Sequence, residues 1–86
     1  MKKVIIIGAT SGIGRGLAET YINEGCIVGI VGRRELILQE ICSQSEDYHY
    51  RVCDITNDND TLYQLNILTN EMGGMDILVI CSGVGE

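Results

Sequence analysis

Eighty-six residues make one domain at most, and a chain of this size buries only about 60–65% of its unfolded surface. Apolar content of 45% is ordinary for a globular chain, and no apolar run approaches a membrane span or a secretory leader; a cytoplasmic location is the expectation. The net charge is −6, and residues 52–86 carry six acids and no base, so polyphosphate chains are repelled and nucleic acid is not an expected partner. Cys26, Cys42, Cys53 and Cys81 form no C-x-x-C pair and His49 is the only histidine, which argues against a zinc site and for small buried thiols in a reducing compartment.

In chain order, Lys3 to Ile7 is a continuous β-branched run, the pattern of a parallel strand covered on both faces. The stretch Gly8-Ala9-Thr10-Ser11-Gly12-Ile13-Gly14 follows it directly. A helix is predicted from about Ile13 to Glu24, with Leu17, Ala18, Tyr21 and Ile22 on its inner face and Gly25 as its stop. Cys26 to Val31 reads as a second buried strand, and Gly32-Arg33-Arg34 turns the chain. A second helix is predicted from about Glu35 to Ser45, with an apolar stripe drawn from Leu36, Ile37, Glu40 and Ile41. Tyr48 to Cys53 forms a third, more polar strand, expected nearer an edge. The turn from Asp54 to Asp58 offers helix-capping residues, and a third helix follows from about Asn59 to Met72, striped by Leu62, Leu65, Leu68 and Met72 and ended by Gly73-Gly74. Asp76 to Cys81 is a fourth, continuously apolar strand, and Ser82-Gly83-Val84-Gly85 is a glycine-rich exit. The order β-α-β-α-β-α-β with short connections implies an α/β fold: a Rossmann-type doubly wound parallel half-sheet of four strands and three helices.

Strand, glycine turn and helix together present backbone N–H groups and a positive helix end to a phosphate. Gly8 suits a sharp turn off the strand, Gly12 the close approach of a pyrophosphate, and Gly14 the close packing of helix and sheet. The flanking Thr10, Ser11 and Ile13 complete the candidate loop. In sites of this kind that prefer NAD, an acid stands about 20 residues beyond the glycines and bonds the ribose 2′-OH. Gly32 stands there instead, followed by Arg33 and Arg34. A guanidinium binds a 2′-phosphate through charge-assisted hydrogen bonds, so NADP(H) is the expected cofactor, with Arg33 as principal ligand and Arg34 assisting. The missing acid also weighs against an S-adenosylmethionine site. The plain alternative for both arginines is solvation of a helix start.

The spacing G-x-x-x-G-x-G after an N-terminal Val/Ile strand resembles the short-chain dehydrogenase/reductase family. Asp54-Ile55 resembles that family's Asp-hydrophobic pair at the adenine ring, although helix capping is an equal reading of Asp54. Gly73-Gly74-Met75-Asp76-Ile77-Leu78-Val79 resembles the family's entry into its fourth strand. Its Asn-Asn-Ala-Gly run is replaced here by Ile80-Cys81-Ser82-Gly83, which keeps the glycine and loses both asparagines; backbone contacts from Cys81, Ser82 and Gly83 to the ribose can survive. Members that prefer NADP often carry a base where this chain has Ser11, and Arg15 is the weaker candidate for that charge.

The resemblance covers the whole chain but only the first half of the family's usual length. It implies a parent enzyme, often a dimer or tetramer, that moves hydride between a nicotinamide and a small carbonyl or alcohol substrate with Ser, Tyr-x-x-x-Lys and Asn. Tyr21, Tyr48, Tyr50 and Tyr63 are followed four positions on by Gly25, Val52, Asp54 and Ile67, and Lys2 and Lys3 are the only lysines. No catalytic residue is therefore assigned here: residues 1–86 read as a cofactor-binding half-domain, inactive alone, with the catalytic half absent. The alternative is a complete, non-catalytic nucleotide-binding or interaction module, whose fourth strand would lie at an exposed sheet edge.

Overall fold

A computed structural model describes residues 1–9 and 12–81. Among them the elements run β1 (Lys3–Ile7), α1 (Gly12–Asn23), β2 (Ile27–Gly32), α2 (Glu35–Cys42), β3 (Tyr48–Val52), α3 (Asp58–Met72) and β4 (Ile77–Ile80). The strands form one parallel sheet in the order β3-β2-β1-β4. This is the expected doubly wound half-sheet, with the polar strand β3 at one edge and β4 at the other.

Successive residues of a strand face opposite sides of a sheet, and here both sides are apolar. Val4, Ile6, Val28 and Ile30 point to the side covered by Ala18 of α1 and by Leu38 and Ile41 of α2. Ile5, Ile7 and Val31 point to the side covered by Leu68 and Met72 of α3. Most of these side chains are fully buried, which stabilises each by roughly 1.5–3 kcal/mol. Gly29 lets α3 lie close to the middle of β2: a Cβ there would stand 2.6 Å from Met72 Sδ and 2.9 Å from Leu68 Cδ2.

The helix ends follow from local chemistry. The Asn57 side chain accepts the Asp60 N–H at 3.0 Å and caps α3, whose first turn also carries Asp58 and Asp60 against the positive helix end. Gly73 closes α3 in the left-handed conformation, and the Gly74 N–H reaches the Thr69 carbonyl at 2.9 Å. Capping therefore falls to Asn57, and Asp54 is free of it.

The structure departs from the sequence reading in four places. Helix α2 stops at Cys42, because the chain tightens into a three-residue turn in which Gln44 N–H bonds the Ile41 carbonyl and Ser45 N–H the Cys42 carbonyl. Leu36 is exposed, since it lies about 200° around the helix from buried Leu38. Leu62 is exposed because two three-residue steps back from Leu68 fall about 120° short of two full turns. Strand β4 is covered on one side only. Ile77 and Val79 pack on the side of α1 and α2, whereas Leu78 and Ile80 stay 40% and 64% exposed on the other side, and among the described residues neither joins the cluster under α3. Among the described residues no helix is long and apolar enough to cross a membrane.

Candidate functional site

In an open parallel sheet, ligands bind beyond the carboxyl ends of the strands, at the point where the strand order reverses. The order β3-β2-β1-β4 reverses between β1 and β4. A staircase of backbone bonds gathers the strand exits on that rim. Cys81 N–H bonds the Ile7 carbonyl at 2.8 Å, Gly8 N–H the Val31 carbonyl at 2.8 Å, and Cys53 N–H the Gly32 carbonyl at 2.8 Å. Cys81, Gly8-Ala9, Arg33 and Asp54-Ile55 are thereby brought to one edge of the sheet.

The turn off β1 begins at Gly8, whose φ of +85° is a left-handed conformation. Gly14 lies against that turn: a Cβ on it would stand 2.5 Å from the Gly8 carbonyl oxygen and 2.9 Å from Ala9 Cα. The start of α1 is thus seated directly on the exit of β1. Among the described residues a Cβ at Gly12 would meet nothing within 4 Å, and Ile13 is 77% exposed, so they leave this side of the turn open. The first turn of α1 holds no acid, which leaves the positive helix end available to an anion. Thr10, Ser11, Ser82 and Gly83, named from the sequence as further loop contacts, lie outside the described residues.

Arg33 and Arg34 follow the last residue of β2 and are both exposed. Arg34 is the N-cap residue of α2; its carbonyl accepts the Ile37 and Leu38 N–H groups, and its side chain makes no capping bond. Arg15 forms an ion pair with Glu40 of α2 at 2.7 Å. It ties two helices together.

Asp54 is held in an Asx turn. Its Oδ1 accepts both the Thr56 N–H at 3.0 Å and the Thr56 hydroxyl at 2.7 Å. The Thr56 hydroxyl, then the Thr56 N–H, then the charge of Arg33 hold this carboxyl below its ordinary pKa. Ile55 is half-buried and packs toward α3. Cys53 is 2% exposed, and burial raises its thiol pKa. All four thiols are unpaired, and among the described residues no group of three or more His, Cys, Asp or Glu stands together as a metal site.

Two features escaped the sequence reading. Gly29 was passed over as part of an apolar strand, although a glycine inside a strand signals a close approach. The outer edge of β3 carries a polar cluster in which Tyr50 donates its hydroxyl to Glu35 and accepts from Gln39, each at 3.2 Å. A cavity of about 410 Å³ beside it is lined by Glu35, Tyr50, Arg51 and Val52. Residues from one helix and one strand meet there, and no local motif announces it.

Known proteins share this arrangement. The family profile described as short chain dehydrogenase matches residues 2–86. An uncharacterized oxidoreductase of Myxococcus xanthus (strain DK1622) is 34% identical over 88 residues, covering 98% of this chain and 35% of the relative. The crystal structure of actinorhodin polyketide ketoreductase with NADPH superposes with a TM-score of 0.87 at 26% identity, covering 95% of this chain and 33% of that one. That of 3-ketoacyl-(acyl-carrier-protein) reductase from Brucella melitensis, complexed with NADH, gives 0.83 at 27% identity, covering 90% and 32%. The chain spans about a third of the length of these proteins. A glycine turn seated under α1, at the reversal point of a β3-β2-β1-β4 sheet, and a profile match over nearly the whole chain lead to one assignment: the chain belongs to the short chain dehydrogenase family.

Proposed function

We propose that this chain is the cofactor-binding part of an NADP(H)-dependent oxidoreductase that moves hydride between a nicotinamide and a small carbonyl or alcohol substrate. The observation that carries the cofactor preference is the end of β2. Arg33 stands exposed where an NAD-preferring site carries an acid, one residue past a ladder bond that fixes its backbone. The donor set suits the group. A guanidinium matches a phosphate, the open Gly12 side admits a pyrophosphate, and the acid-free first turn of α1 adds a positive end.

In this reading Gly8, Gly12 and Gly14, with Thr10, Ser11 and Ile13, hold the pyrophosphate. Arg33 holds the 2′-phosphate and Arg34 assists. Asp54 and Ile55 meet the adenine, and the exit of β4 at Cys81, Ser82 and Gly83 lies along the ribose. The bound nicotinamide supplies or accepts the hydride. The residues that protonate the substrate belong to further polypeptide, as does the substrate pocket. The uncovered Leu78 and Ile80 support that reading over a finished binding module, because such apolar side chains ask for a covering element.

Calorimetric titration with NADPH and NADH tests the assignment. The expected result is tighter binding of NADPH, with Arg33→Ala weakening NADPH about tenfold or more relative to NADH. NADH binding as tightly as NADPH, or an equal loss of both in the variant, overturns the 2′-phosphate assignment.

A further inference from the structure

We propose that Asp54 sets how strongly the site discriminates between 2′-phosphorylated and unphosphorylated nucleotides, by holding a fixed negative charge beside Arg33; the inference rests on the nucleotide reading above. The observation is a juxtaposition at two neighbouring strand ends. Strands β2 and β3 are paired in register to Gly32 and Val52, and the Cys53 N–H closes on the Gly32 carbonyl at 2.8 Å. Arg33 therefore leaves β2 level with Cys53, and Asp54 follows one residue on, at the end of the neighbouring strand about 5 Å away. Both are exposed, and no ion pair within 4 Å joins them among the described residues.

The carboxylate is not a wandering surface charge. Both Thr56 donors bond the same oxygen, Oδ1, and among the described residues Oδ2 has no donor. A phosphate drawn to Arg33 comes to the end of β2, beside the strand that ends in Asp54, and stands in the field of its carboxylate. The interaction of that phosphate with the anionic carboxylate is repulsive, whereas an uncharged 2′-hydroxyl is not repelled and is able to donate to a carboxylate. Asp54 thus lowers the preference that Arg33 creates. A residue that merely contacts adenine acts on both nucleotides alike and leaves that preference unchanged.

The test is the ratio of affinities in Asp54→Asn. Asparagine keeps an Oδ1 acceptor for both Thr56 donors and removes the charge. Affinities for NADPH and NADH, and for adenosine 2′,5′-bisphosphate and AMP, are measured by calorimetry at low salt and again in 0.5 M salt (roughly a 4 Å screening length). The expected result is a rise of about threefold in preference for the 2′-phosphorylated member of each pair at low salt, shrinking at high salt. A common change in both members, an unchanged ratio or a fall in the ratio overturns the inference and leaves the nucleotide reading standing. If the unsubstituted protein binds none of the four probes, the nucleotide reading fails and this inference falls with it.

Discussion

Gly14→Ala adds one methyl group where the fold leaves no room for it. The added Cβ would sit 2.5 Å from the Gly8 carbonyl oxygen and 2.9 Å from Ala9 Cα. Both neighbours are backbone, so no side chain can rotate away. Relief to an ordinary contact needs a displacement of roughly 1 Å between the start of α1 and the turn off β1, and overpacking of this kind costs about 1–3 kcal/mol. Alanine gives back up to about 1 kcal/mol of helix propensity. The net loss is about 1–2 kcal/mol, or a fall in melting temperature of roughly 4–16 °C for a domain this small. Gly16 is the control on the same helix, because a Cβ there meets nothing within 4 Å. Gly16→Ala keeps the propensity gain and stabilises by roughly 0.5–1 kcal/mol. Urea denaturation and thermal melts should order the proteins Gly16→Ala above wild type above Gly14→Ala. A Gly14→Ala protein as stable as wild type would refute the seating of α1 on the turn.

Two further predictions concern charges. Arg15→Ala breaks an ion pair that is partly exposed on both sides, so it should cost less than about 1 kcal/mol in denaturation and leave NADPH affinity within twofold; a tenfold loss of NADPH affinity would return Arg15 to the phosphate site. Burial pushes the Cys42 thiol from 9.0 up to about 11. An acid whose pKa is raised on folding contributes its full stability below its unfolded pKa and loses it as the pH climbs through the folded one. Stability should therefore fall between pH 9 and 11, and fall less in Cys42→Ser; equal slopes in the two proteins would contradict the burial of this thiol.

The parts of the fold that rest on period and punctuation were readable in the sequence. Lys3 to Ile7 reads as a strand buried on both faces and is one, and the glycines at 25 and 73 end their helices in left-handed conformations as the pattern required. What misled was the face, not the element. Leu36 and Leu62 are apolar at helical spacing yet point outward, because an apolar residue near a stripe is not evidence of which way the stripe drifts. The continuous run in β4 implies cover on both faces, but cover is a property of what packs against a strand, and nothing described lies over Leu78 and Ile80. At the glycine turn, the sharp turn at Gly8 and the close packing at Gly14 were legible because backbone geometry leaves marks in the sequence. The partner of Arg15 was not, since Glu40 lies 25 residues away and meets it only when α1 and α2 share a face. Asp54 carried two sequence readings, and the structure removes one by giving the cap to Asn57.

The central claim is that the carboxyl rim of the sheet, around the β1 exit, receives a phosphorylated dinucleotide. Amide chemical shifts followed during a titration with NADPH test it residue by residue. The account predicts saturable changes at Gly8, Ala9, Gly12 to Gly14, Arg33, Asp54 and Cys81, on the rim where the strand exits converge. Changes confined to the opposite end of the sheet, around Glu19, Asn23, Gln44 and Tyr48 where a second cavity of about 310 Å³ opens, would contradict it.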